Sequence, residues 1–228
     1  MFFIAHGLFF CMIHYLKVAF SGLLISFLGA LPLGTLNLTA FEIAASQGLL
    51  SALWFCIAVV LVELVVVRLT LFGNEKLQLN GKVMDYLLPL GILLLMYLSI
   101  SHFMDSTKIA EVDSKIGLLP RFKSTFVLGF LLSALNPLQI PFWMTWNKVL
   151  ENKGILETNR RDYTFYILGI GIGTLIGLGA FVLAGKYIFT NYNEYSKVTN
   201  LLMGLLYLGF SFYLMYLFIK KRFNYKTQ

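Results

Sequence analysis

LSALWFCIAVVLVELVVVRLTLF, residues 50–72, decides the fold. It is overwhelmingly apolar, and its charged residues are Glu63 and Arg68. A hydrocarbon core roughly 30 Å thick is crossed by about 20 such residues in a helix. Five more runs of similar character lie on either side of it, at 18–38, 86–103, 126–146, 165–189 and 198–219. The chain is 58% hydrophobic and only 13% charged, with mean hydropathy +0.78. A soluble domain sits near 45–50% apolar and about 25% charged. Backbone polar groups in lipid must be bonded internally, so the runs are expected as helices. Strands of about ten alternating residues, the mark of a membrane barrel, are missing from the sequence. The reading is an all-α polytopic membrane protein with six transmembrane helices.

The net charge is +7. In a soluble protein that excess would raise nucleic-acid binding as a partner class. Here the basic residues sit in short connectors between apolar runs, where membrane insertion places them. Lys17, Lys76, Lys82, Lys148, Lys153, Arg160, Arg161 and the tail from Lys220 put 11 basic residues on one side. Lys108, Lys115, Arg121, Lys123, Lys186 and Lys197 put 6 on the other. The positive-inside rule therefore predicts both termini in the cytoplasm. The start, residues 1–16, is apolar but has no basic leader and does not read as a cleaved signal peptide. Cys11 and Cys56 have no CxxC partner and read as small hydrophobes. His6, His14 and His102 form no metal-spaced pair and read as peripheral. No cofactor or metal is implied.

Two stretches suggest an internal repeat. LLISFLGALPLG (residues 23–34) and LGFLLSALNPLQ (residues 128–139) align Pro32 with Pro137 at an offset of 105. Three spans per half force the second copy to insert upside down, the inverted-repeat plan of many secondary transporters. The chain then reads as one transmembrane domain over 1–228, with repeat halves at about 17–115 and 116–220. Pro32 and Gly34 break span one, because proline lacks an N–H and glycine loosens the backbone. Asn37 follows with a donor and an acceptor. Asn136, Pro137, Gln139 and Pro141 repeat the device in span four. Matched broken helices are the best pointer in a sequence to a transporter's substrate site, against the plainer reading of kinked, well-packed helices.

Glu63 is the sharpest single residue. A carboxyl deep in a span costs at least about 2.5 kcal/mol on insertion scales. It must face a cavity, be protonated or pair with a base, and in the first two cases it can carry the coupling proton or hold a cationic substrate group. Pairing with Arg68 is the structural alternative, although five residues apart is poor helical geometry. Gly169, Gly173 and Gly177 form overlapping GxxxG pairs in span five, suited to close packing within one subunit or to a homodimer seam. Trp143 and Trp146 read as headgroup anchors at the end of span four.

The stretch GALPLGTLNLTAFEIAASQGLLSALWFCIAVVLVEL, residues 29–64, resembles the first motif of the lysine-exporter (LysE) family of amino-acid translocators. Pro32, Gly34 and Asn37 match its span-one turn and asparagine. Gly48 and Ala52 fill its small positions, and Glu63 stands where its span-two aspartate is expected. Gly129, Asn136 and Pro137 match the second motif. Leu33 interrupts the Pro-Gly pair, and Leu138 stands where a lysine often follows Asn-Pro. The resemblance implies a secondary exporter of amino acids or similar small polar metabolites in a bacterial inner membrane, coupled to protons, and not an enzyme. Two other classes stay open at this point. A membrane thiol–disulfide electron-transfer protein would need Cys11 and Cys56 to meet. An ion channel would also use polar residues in spans.

Overall fold

The computed structural model describes residues 2–31, 34–73, 81–107, 124–188 and 192–224. All regular structure among them is helical. The helices are α1 (Phe2–Ala30), α2 (Thr35–Gln47), α3 (Leu49–Gly73), α4 (Gly81–Thr107), α5 (Thr125–Ala134), α6 (Gln139–Asn152), α7 (Arg160–Ile188) and α8 (Tyr192–Asn224). Met12–Ala30, Leu49–Phe72, Arg160–Tyr187 and Asn200–Lys220 are each long and apolar enough to cross a membrane. The α5–α6 pair reaches that standard when both pieces are taken as one span. The apolar part of α4, Leu88–Met104, is shorter. Large apolar side chains such as Phe20, Leu50 and Leu93 are more than 60% exposed. Water would penalise such surfaces heavily, whereas lipid tails do not.

The sequence expectation for span one, 18–38, meets a helix that stops at Ala30 and a new one that starts at Thr35. The polar stretch TLNLTAFEIAASQ, which starts inside that span and runs past its end, is helical as α2. Only Gly48 separates α2 from α3, at φ +85°, a left-handed conformation that glycine adopts without a Cβ penalty. Pro32, the basic residues of 74–80 and 108–123, and the side chain of Cys11 lie outside the described residues.

The helices divide between two compact units. The first contains residues 1–32, 60–78 and 138–178. Its core gathers Val18 and Ile25 of α1, Val67 and Leu71 of α3, Trp143 and Leu150 of α6, and Tyr166 and Ile170 of α7. The GxxxG glycines set its α1–α7 contact: a methyl group at Gly169 or Gly173 would collide with the carbonyls of Ala19 or Leu23. These glycines are thus used within the chain, by backbone approach of the kind GxxxG permits.

The second unit contains residues 33–59, 79–137 and 179–228. In it α4 lies along α8, and α2 packs on both α8 and α5. Leu88, Ile92, Leu95, Ser99, His102 and Ser106 form the buried face of α4. Steps of four and three residues place them on one stripe. Ser99 Oγ donates to the Gly204 carbonyl at 2.8 Å. Ser133 Oγ donates to the Val59 carbonyl at 3.3 Å. Such bonds tie helices where lipid offers no hydrophobic drive.

Candidate functional site

The first unit carries a polar cluster around Glu63. α3 brings the carboxyl to α7, where the Thr174 hydroxyl hydrogen-bonds Glu63 Oε2. Ser26 of α1 joins the same hydroxyl at 2.5 Å. Thr174 is also 3.0 Å from the Ile170 carbonyl. A hydroxyl has one proton, so Thr174 serves either the carboxyl or its own helix. Glu63 is half-buried, whereas Ser26 and Thr174 are buried. Among the described residues no cation pairs with Glu63. Arg68 instead lies over the Phe72 ring, 4.7 Å from its centroid. The alternative Glu63–Arg68 pair does not form, in keeping with the poor five-residue spacing.

The second unit holds a buried acid–base pair that the sequence reading passed over. His102 Nε2 lies 3.6 Å from Glu42 Oε1, and both side chains are wholly buried. His102 Nδ1 is 3.1 Å from Asn200 Oδ1. The amide oxygen only accepts, so Nδ1 carries the proton in that contact. At 3.6 Å the Nε2–carboxylate contact is longer than a hydrogen bond. Tyr207 stacks on the imidazole with centroids 5.4 Å apart, and Thr39 Oγ1 is 2.6 Å from the Tyr207 hydroxyl. His102 is therefore central, not peripheral. Its position on the α4 stripe with Leu95, Ser99 and Ser106 is the signal that could have found it. Glu42 offers no such signal, because α2 is buried over several faces.

The residues of the two predicted breaks fall as follows. Gly34 is the N-cap of α2, with no side-chain cap bond. Asn37 is buried in the first turn of α2. Pro137 lies in the turn between α5 and α6, preceded by Asn136, whose N–H reaches the Ser133 carbonyl at 3.2 Å. Gln139 is buried at the start of α6. Pro141 sits in the first turn of α6, where a missing N–H costs no helical bond. Leu138, the N-cap of α6, also makes no side-chain cap bond. Neither N-cap residue, Gly34 nor Leu138, caps its helix through a side chain, and helix N-termini attract anions.

Trp143 departs from its expected headgroup position: it is fully buried. Gln139, Trp143, Asn147 and Leu150 form the inward face of α6, and Trp146 falls off that face at 38% exposure. Asn147, also fully buried, donates to Thr70 Oγ1 at 3.0 Å. Cys56 is a free, buried thiol.

The family model of LysE type translocators matches residues 27–217. A Bacillus subtilis (strain 168) protein named "Putative amino acid efflux protein YcgF" is 27% identical over 145 residues, covering 64% of this chain and 69% of that protein. No solved structure matches the chain.

Proposed function

Because the chain belongs to the LysE type translocator family, and so is a multi-pass membrane transporter and not an enzyme, we propose that it exports amino acids or similar small polar metabolites, driven by the proton gradient. The membrane is a bacterial inner membrane, with both termini in the cytoplasm. The amino-acid class is supported by the name of the Bacillus subtilis relative. The chain works as one domain of six spans in two inverted halves, about 17–115 and 116–220, with spans one and four broken. The offset of 105 supports this plan, since it pairs Glu42 with Asn147, each buried on the second piece of a broken span.

The observation that carries the coupling step is the set of partners around Glu63. Thr174 and Ser26 are neutral hydroxyls. Loading or unloading a proton on Glu63 therefore breaks no ion pair, and each such event changes the buried charge by one. Glu42 differs, because the imidazole of His102 stands 3.6 Å from its carboxyl. Glu63 is the proton-coupling residue in this reading. The substrate is held by the backbone ends and side chains at the two breaks: Pro32, Gly34, Asn37, Asn136, Pro137, Gln139 and Pro141. Helix N-termini at broken spans commonly receive anionic substrate groups.

The test uses inside-out vesicles containing the full chain, a mixture of the proteinogenic amino acids and an imposed proton gradient. Accumulation of at least one amino acid, abolished by dissipating the gradient, is the expected result. Accumulation that ignores the gradient removes the proton coupling, and no accumulation of any amino acid removes the substrate class.

A further inference from the structure

Arg68 was left without a role by the pairing that fails to form. Its surroundings give it one. A cavity of about 520 Å³ in the first unit is lined by Arg68, Phe72, Glu151, Asn159, Arg160 and Tyr163, among others. That volume falls within the roughly 300–1,000 Å³ of small-molecule pockets. Its walls come from the ends of α3 and α6, the start of α7 and the connector between α6 and α7.

The charges on these walls have a pattern. Arg68 stands half-buried near the end of α3. The Phe72 ring supports its guanidinium 4.7 Å away, and a cation–π contact uses none of the N–H donors. Those donors meet no acceptor among the described residues. The Arg160 side chain likewise has no anion partner there. Two guanidinium groups on one cavity wall outnumber its one carboxylate and favour an anion, and Arg's planar fork matches a carboxylate. Glu151 adds an acidic group to the same wall. A guanidinium fork and a carboxylate around one small cavity complement a zwitterion.

We infer that this cavity is a loading site for the α-amino acid, in which Arg68, backed by Arg160, receives the substrate's carboxylate and Glu151 faces its ammonium group. The inference rests on the exporter reading for its substrate class and orientation: the loop carrying Lys148–Arg161 is cytoplasmic there, so the cavity opens where substrate is collected. It goes beyond that reading by separating an outer binding site from the helix breaks. The Arg68 position, at the end of an apolar span and propped on an aromatic ring, fits a cation placed for a ligand.

The experiment has two arms on the reconstituted full chain. The first measures gradient-driven uptake of L-amino acids into inside-out proteoliposomes, for the parent, Arg68→Gln and Arg68→Lys. Losing a charged hydrogen-bond partner should raise KM roughly 10- to 100-fold in Arg68→Gln. Arg68→Lys should recover only part of it, since a point charge replaces a fork. The second arm labels arginines with phenylglyoxal, with and without a mixture of the proteinogenic amino acids, and reads Arg68 by mass spectrometry. Amino acids should protect it, and the matching decarboxylated amines should not. Protection without flux would overturn the exporter reading and leave the carboxylate receptor standing. Flux with an unchanged KM in Arg68→Gln, and no protection, would overturn the receptor and leave the exporter. Equal protection by the amines would also overturn it, and absence of both flux and protection would sink both.

Discussion

Replacing Glu63 by Gln isolates the proton from every other property of the side chain. Gln keeps the length and an acceptor oxygen for the Thr174 hydroxyl, the contact that joins α3 to α7. It removes only the titrating group. One carboxyl carries one proton, and one charge crossing 100 mV releases about 2.3 kcal/mol. At about 1.4 kcal/mol per tenfold, that supports an accumulation ratio near 50. Glu63→Gln should bring the ratio to about 1, because nothing then links substrate movement to the gradient. The melting temperature should shift by no more than about 2–4 °C, the effect of ~1 kcal/mol in a chain of this size. Exchange of labelled for unlabelled substrate, which needs no net proton movement, should persist. The assay is gradient-driven uptake into inside-out proteoliposomes, with counterflow and thermal melting on the same preparations. Arg68 contacts the Phe72 ring and forms no ion pair with Glu63, so adding Arg68→Gln should not restore driven transport. A Glu63→Gln protein that still concentrates substrate about 50-fold would refute the assignment.

Other perturbations test separate parts of the argument. His102→Ala leaves Glu42 buried without its base and should destabilise the protein by about 3–5 kcal/mol; pairing it with Glu42→Gln should recover much of the loss, read by melting in detergent. If the double variant is no more stable than His102→Ala, the pair is not the source of the effect. Gly173→Ala pushes a methyl into the Leu23 carbonyl and should cost about 1–3 kcal/mol, whereas Gly179, with open space around it, should accept alanine with little change in melting temperature. Asn136→Ala should stop transport while membrane insertion and melting stay near the parent's values; loss of folded protein would mark Asn136 as a packing residue instead. Reporter fusions at Gln228 should be active only in their cytoplasmic form, and a periplasmic signal would reverse the orientation.

The all-helical membrane class was legible in residues 50–72 alone, because lipid imposes one requirement on every spanning segment and run length records it. The helix break at Asn136-Pro137 was legible for a similar reason: proline acts locally, whatever packs around it. Glu63 could be singled out from its insertion cost. Its partners could not, since Ser26 and Thr174 lie in α1 and α7, far from it in sequence and ordinary in type. The same holds for Glu42. It sits in a short polar stretch that reads as a connector, and only the packing of α2 on α5 and α8 makes it an interior residue. Trp143 and Trp146 look alike in sequence, yet the inward face of α6 buries the first and leaves the second outside. Lipid cost and backbone chemistry act on one residue or one run, so the sequence determined the class and the breaks. Side-chain pairing needs two distant segments brought within about 3 Å, and that was decided by tertiary structure alone.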